Sequence, residues 1–328
     1  MRATILALLL AAPALAANLD LYAIDTEGGK SLLIVSPAGQ TMLIDAGYPT
    51  PNDRDTDRIV SLAQSLGIKA FDYIMPTHYD MDHAGNIPKV DSRIPGRTFV
   101  DHGELIATAR DPDRSRFYPA YVENIKGRPR ISVKPGDTIP LSGVKITVLT
   151  AGGAALQKAG ATANPLCAGL SRPTYTDTDD NAGSIGILLE YARFRMADFG
   201  DLLGAVEYDL MCPANPVGTV DLFMVSHHGF KQSNSEVLVH SLRPRVAIMN
   251  NGPRKGGEAQ VFDILKSSPG FTDLWQLHYS PAAGDKNSPE SMIANMDAQC
   301  QGKAIKVSVA PDGSFTVTNT RTGFSKKY

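Results

Sequence analysis

The stretch Thr77-His78-Tyr79-Asp80-Met81-Asp82-His83-Ala84-Gly85-Asn86 decides how this chain is read. Four side chains able to bind a metal, His78, Asp80, Asp82 and His83, fall within six positions, after the apolar run Tyr73-Ile74-Met75. On a helix these residues would scatter around the axis. On a strand His83 would point away from the other three. A curled loop between a buried strand and a helix brings all four toward one point. Two imidazoles and two carboxylates suit a divalent cation between zinc and manganese in hardness, with iron also compatible. The plainer alternative is a polar loop whose aspartates cap the next helix.

Working outward, the neighbouring segments place more chemistry at strand ends. Residues 31–36 and 41–44 are β-rich apolar runs separated by Pro37-Ala38-Gly39, and the second ends at Asp45. A helical pattern over 58–66 precedes the 71–75 strand. A strand over 97–100 ends Asp101-His102-Gly103, so His102 can face the same cleft or simply bond within its loop. Residues 107–130 are charged and aromatic and could form a helical flap. Short strands over 131–133, 137–141 and 144–149 suggest a meander. The apolar run 220–225 leads into Ser226-His227-His228-Gly229. Adjacent residues of an extended chain point in opposite directions, so one of the two imidazoles is expected to bind. The expectation is His227 as ligand and His228 beside it, the reverse assignment staying open. Lys231 and Ser233 to Ser235 could hold an anion at the next helix or merely cap it. His240 lies in an apolar helical pattern and is expected to be a core residue, whereas His278, ending a strand over 275–278, is a further candidate for the cleft. A helix near 289–299 and a hairpin over 305–309 and 314–319, turning at Asp312-Gly313, close the chain.

The 77–86 stretch resembles the His-x-His-x-Asp-His signature of the metallo-β-lactamase superfamily, with Asp80 in place of the second histidine. Its His-x-Asp-x-Asp-His form resembles the lactamase-like domain of bacterial competence DNA-uptake proteins. Ser226-His227-His228-Gly229 is similar to the last histidine motif of that branch and of the phosphorylcholine-esterase branch. The resemblance implies an α/β (α+β) fold, the four-layer αβ/βα sandwich, with metals between the sheet edges. It implies one metal on Asp82, His83, Asp201 and His227 or His228, and another on His78, Asp80 and the shared Asp201. Asp201, in Asp198-Phe199-Gly200-Asp201, matches the bridging carboxylate by position, with Asp198 as a weaker substitute. Asp45 matches the residue that braces the metal loop, and Asn181 and Ser184 match polar side chains that point into the cleft. Asp80 or Asp82 would orient the attacking hydroxide, and Lys231 or the second metal would stabilise charge on the leaving oxygen. One departure is clear. Thr150-Ala151-Gly152-Gly153 holds no third histidine, so a second metal would lack its usual imidazole unless His102 supplied it.

The 328 residues carry 43% hydrophobic and 20% charged residues, ordinary for a globular chain. Arg2, the apolar residues 5–12 and Ala14-Leu15-Ala16 form a signal-peptide pattern, so residues 1–17 are expected to be removed and 18–328 to form an exported or periplasmic hydrolase domain. No later stretch is long and apolar enough for a membrane span. Of the three cysteines, Cys167 and Cys212 lie in Pro-rich loops and are the expected disulfide, leaving Cys300. A formal charge of −2 offers no broad field for nucleic acid and argues against a processive nuclease. The expected function is hydrolysis of a phosphoester or nucleic-acid-type substrate with one or two divalent ions. The alternatives are a degenerate scaffold that binds a ligand or partner, and a lactam, lactone or acyl-ester hydrolase.

Overall fold

Alternation of period two in the apolar runs builds two sheets that share one inner core. The computed structural model describes residues 17–106, 116–173 and 180–328. The N-terminal half supplies β1 (Leu19–Ala23), β2 (Leu32–Val35), β3 (Thr41–Ile44), α1 (Arg54–Ser65), β4 (Phe71–Met75), α2 (Ile87–Arg93), β5 (Gly96–Asp101), α3 (Tyr118–Ile125) and β6 (Arg130–Ser132). The chain then crosses to β7 (Thr138–Ile139), β8 (Lys145–Ala151), β9 (Ala154–Ala155) and β10 (Thr162–Ala163). It continues through β11 (Gly186–Tyr191), β12 (Phe194–Asp198), α4 (Gly204–Met211), β13 (Ala214–Asn215) and β14 (Leu222–Val225). Next come α5 (Glu236–Leu242), β15 (Val246–Met249), α6 (Ala259–Ser267), β16 (Asp273–His278) and β17 (Ile293–Asn295). The hairpin β18 (Ile305–Val309) and β19 (Phe315–Asn319), with β20 (Ser325–Lys327), returns to the first sheet.

The first sheet runs β20-β19-β18-β1-β2-β3-β4-β5-β6 and the second β17-β16-β15-β14-β12-β11-β8-β7. Odd and even side chains of one strand enter different cores. Leu32 and Ile34 of β2 join the inter-sheet core while Leu33 packs under α1 and α2. In β14, Leu222 and Met224 face the first sheet while Phe223 and Val225 pack with α4 to α6. A strand buried on both faces needs an unbroken apolar run, and Leu222-Phe223-Met224-Val225 is one. The result is the α/β sandwich of four layers, αβ/βα, with the apolar hairpin side chains Val307, Phe315 and Val317 extending its inner core. Each fully buried Leu, Phe or Met contributes about 1.5–3 kcal/mol.

Two expectations fail on topology. Residues 131–133 are not the first arm of a meander, because β6 pairs in parallel with β5 and only β7 and β8 form an antiparallel pair. Pro135-Gly136 carries the chain across to the other sheet instead of folding it back. The helix near 289–299 is absent: a single turn over Glu290–Met292 leads into β17, which pairs in parallel with β16. Met292, Ile293 and Ala294 are consecutive and buried, and a short apolar run of this kind does not distinguish strand from helix. Of the proposed flap, α3 is helical; 107–115 lie outside the described residues, as do 1–16 of the signal pattern. Among the described residues no helix is long and apolar enough to cross a membrane. Cys167 and Cys212 form a disulfide, and Cys300 is free.

Candidate metal centre

The carboxyl ends of β3 and β4 in one sheet meet those of β12 and β14 in the other, and the centre is assembled where they meet. Asp45, just past β3, adopts a left-handed backbone (φ 59°) that turns its carboxylate into the 77–83 loop. It accepts from Thr77 N at 2.7 Å, from Thr77 Oγ1 at 2.9 Å and from His83 Nδ1 at 3.0 Å. The carboxylate fixes the tautomer: Nδ1 carries the proton and His83 Nε2 is left with its lone pair facing inward. Backbone bonds complete the brace, from Ala46 N to His83 O at 2.8 Å and from Lys30 N to Asp82 O at 3.1 Å. Gly85 is obligatory in this curl, since a Cβ there would lie 2.3 Å from Met81 O.

From the other sheet, Ser226–Gly229 forms a tight turn in which His227 and His228 are both left-handed (φ 51° and 53°). The strand rule that adjacent side chains diverge therefore does not apply. His228, not His227, is the buried imidazole between the loop carboxylates: its Nε2 lies 3.0 Å from Asp82 Oδ2, 3.1 Å from Asp201 Oδ2 and 3.3 Å from His83 Nε2. Its Nδ1 donates to Asn250 O at 3.1 Å, which fixes the ring with Nε2 toward the carboxylates. His227 is less buried and comes no closer than 3.7 Å to Asp201 Oδ2, with Ser233 Oγ 3.1 Å from its Nδ1. The donor atoms of Asp82, His83, Asp201 and His228 all lie within 4.8 Å of one another.

Charge in the cluster is strongly coupled. Burial alone would raise the Asp201 carboxyl, but the imidazoles of His228, His83 and His227 hold it well below the usual carboxylate range. Asp82 behaves alike, with Lys255 as the largest opposing charge. Burial disfavours a charged His83, yet Asp201, Asp45 and Asp82 raise it well above the ordinary imidazole value. These carboxylates demand a positive charge at their centre, as protons or as a cation. His227, dominated by burial, is pushed down to about 4.

The remaining candidates are distributed unevenly. His78 is fully buried with its ring centroid 4.1 Å from that of His83, and its Nε2 lies 3.8 Å from Asp80 Oδ2. Among the described residues His78 Nε2 and Asp201 Oδ1 are buried without a hydrogen-bond partner, as two donors of a second cation position would be. Ser184 Oγ accepts from Asp201 N at 3.2 Å and lies 3.5 Å from His78 Nδ1, so it positions both. Asn181 lines the cleft beside Asp80 and Asp201. Asp198 is drawn off by the buried Lys30 ammonium and does not enter the donor group. His102 does not supply the missing imidazole: its Nε2 bonds Asp180 Oδ2 at 3.1 Å, and its ring packs on Tyr79. His278 is also outside, with Nε2 2.8 Å from Asp25 Oδ1. Asp25, His278 and Cys300 form a second cluster of donors, but the Arg58 guanidinium, 2.9 Å from Asp25 Oδ2, already supplies its positive charge. Lys231 is exposed and is not part of the cleft lining. The anion position at the start of α5 is taken by Glu207, which accepts from Asn234 N at 2.7 Å and Ser235 N at 2.8 Å.

Four residues that matter here were not among the candidates read from the sequence. Lys30 pairs with Asp198, Asp180 accepts from Tyr79 N at 2.7 Å, Glu207 braces the turn after His228, and Lys255 pairs with Asp82. Only Lys255, in a Gly-rich loop after a strand, stood where cleft residues are expected. The cleft has a volume of about 620 Å³ and is walled by Tyr48, Met81, Phe230, Arg116 and Lys255 around the carboxylates.

The family model described as the metallo-β-lactamase superfamily matches residues 24–166, which contain the whole braced loop. Over these residues the chain is similar to the metallo-β-lactamase superfamily. It is 24% identical over 269 residues to ComE operon protein 3 of Bacillus subtilis (strain 168), covering 76% of this chain but only 30% of that protein. Among solved structures it is similar to the metallo-β-lactamase fold protein YhfI from Bacillus subtilis, at 11% identity and a TM-score of 0.46, covering 79% of this chain and 96% of that one. It is also similar to Igni18, a metallo hydrolase from Ignicoccus hospitalis, at 14% identity and a TM-score of 0.42, covering 87% and 98%. The family match and the buried His/Asp cluster support a metallo-hydrolase, and the donor set fits divalent ions.

Proposed function

We propose that the protein is an exported hydrolase of phosphoesters that works with one divalent ion on Asp82, His83, Asp201 and His228, and a second, weaker one toward His78 and Asp80. One observation carries the reading: four donors converge within 4.8 Å on the floor of a cleft whose walls carry lysine and arginine. When bound, such an ion lowers the pKa of water and polarises a phosphoryl oxygen. The chain's own residues do the rest. Asp45 and the Asn250 carbonyl hold the two imidazoles in the ligating tautomer. Asp201 faces His83 and His228 through Oδ2, and its Oδ1 is buried. Asp80, at the cleft wall, is placed to orient the attacking water. Hydrolysis then forms one P–O bond from water and breaks the ester P–O bond.

Export is supported by Arg2, the apolar residues 5–12 and Ala14-Leu15-Ala16. A donor set of two imidazoles and two carboxylates suits zinc, manganese or iron. The second position is poorer, because 150–153 offers no imidazole: Thr150 Oγ1 donates to Ser184 O and Gly152 N to Gly183 O instead. Protein reconstituted with each metal is to be assayed on bis-p-nitrophenyl phosphate, a lactone and a cephalosporin. Preference for the phosphodiester by about tenfold or more in kcat/KM supports the reading; preference for either of the others overturns it.

A further inference from the structure

The loop 250–257 is fastened to the metal-binding turn at both ends, by His228 Nδ1 to Asn250 O and by the backbone at Gly257. Gly257 N donates to His228 O at 2.9 Å, Glu258 N to Gly229 O at 3.0 Å, and Asn251 Nδ2 to His278 O at 2.8 Å. The backbones are so close that a Cβ at Gly256 would lie 2.0 Å from His228 O, and one at Gly252 would lie 2.5 Å from Glu27 O. Gly28 packs against the stem of Lys255, where a Cβ would come within 2.9 Å of Lys255 Cβ. The loop therefore presents the Lys255 ammonium at a fixed place on the cleft wall.

That place is unfavourable for a residue whose only role is structural. The ammonium pairs with Asp82, a carboxylate of the metal-binding group, and so opposes any cation held there. Of its three N–H donors, one meets Asp82 and one meets the Tyr48 hydroxyl at 3.2 Å, which leaves one for the cleft. A fixed positive charge beside a cation site is favourable when a negatively charged group enters between them.

We propose that Lys255, positioned by Tyr48, is the anion-recognising residue of the cleft, and that the substrate carries a negative oxygen on or next to its reacting centre. The inference rests on the metallo-hydrolase reading of the same site and narrows it to anionic esters, a phosphodiester or phosphomonoester. An uncharged acyl ester offers the ammonium nothing.

The test uses the full mature chain loaded with manganese, with Lys255→Gln, Lys255→Arg and Tyr48→Phe variants, metal content being measured for each. Calorimetry with inorganic phosphate reads recognition directly. Lys255→Gln is expected to weaken phosphate binding by about tenfold or more, the effect of losing one charge-assisted hydrogen bond. Lys255→Arg restores part of it, and Tyr48→Phe, which keeps the Lys255 charge but gives up the hydroxyl's bonds to Lys255 Nζ and Gly28 O, weakens it by about threefold. In turnover, kcat/KM of Lys255→Gln falls at least about tenfold further on bis-p-nitrophenyl phosphate than on an uncharged phosphotriester, chiefly through KM. Unchanged phosphate affinity, or equal losses on charged and uncharged esters at full metal content, overturns the proposal. If Lys255→Gln does not fold, the Tyr48→Phe and Lys255→Arg titrations decide it alone. If the wild type hydrolyses no phosphoester, the proposed function fails. Phosphate binding that still depends on Lys255 would then uphold the anion site, and binding that does not would overturn it too.

Discussion

Replacing Asp45 by asparagine tests how the metal centre is built without touching any donor that faces it. Asp45 is fully buried and holds three groups of the loop: Thr77 N, Thr77 Oγ1 and His83 Nδ1. Asparagine keeps the shape and can still accept from Thr77 N through its carbonyl. Its amide group then faces His83 Nδ1 as a donor, where the carboxylate had accepted. The imidazole must move its proton to Nε2, the atom that lies 3.2 Å from Asp201 Oδ2, and so loses the lone pair that would bind a cation. Loss of such a supporting carboxylate costs about 10–100-fold in metal affinity, which is about 1.4–2.8 kcal/mol. Folding loses a further hydrogen bond to a charged group, about 1.5–3 kcal/mol, although Lys30 keeps its pair with Asp198. The assay is a competition titration of zinc or manganese against a chromogenic chelator, with circular dichroism as the check on folding. A folded Asp45→Asn protein whose affinity stays within about twofold of wild type would refute the argument that Asp45 sets the tautomer.

His228→Ala should lower metal affinity about tenfold more than His227→Ala, because His228 touches three of the other donors and His227 approaches one; equal losses in the same titration would contradict the placement. Gly256→Ala is expected to cost about 3 kcal/mol or more in chemical denaturation, whereas Gly270→Ala, also at positive φ but with open space around it, should cost about 1 kcal/mol. Similar midpoints for the two would mean that the 250–257 loop is not clamped. Burial pushes Glu207 up to about 7 against the hydrogen bonds it accepts. Between about pH 4.5 and 7 the native state thus binds more protons than the unfolded chain, and stability falls as pH rises, by at most about 3 kcal/mol in all. Glu207→Gln should remove that component, flattening the denaturation free energy between pH 5 and 7, and an unaltered slope would sink the assignment.

Residues that act through neighbours in sequence were legible. His78, Asp80, Asp82 and His83 share one loop, and the apolar β-rich runs 31–36 and 41–44 foretold strands. Asp45 and Asp201 were found by their places after strands, a weaker cue that the resemblance strengthened. What escaped depends on distant partners or on local backbone. Lys255 meets Asp82 across 173 positions and Lys30 meets Asp198 across 168, so neither pairing leaves a trace in spacing. The choice between His227 and His228 turned on two successive left-handed residues, a conformation that the strand-based argument excluded. His102 and His278 stood after strands as a ligand would, yet each was claimed by a buried aspartate, Asp180 or Asp25, far away in the chain. Residues 289–299 misled because three buried apolar residues in a row satisfy strand and helix alike.

Metal content measured by elemental analysis on the purified protein, beside an Asp82→Ala, His228→Ala double variant, tests the central claim most directly. At least one equivalent of zinc, manganese or iron should stay with the folded wild type through gel filtration and be lost from the variant. A folded wild type that holds no metal after reconstitution with all three would contradict the account.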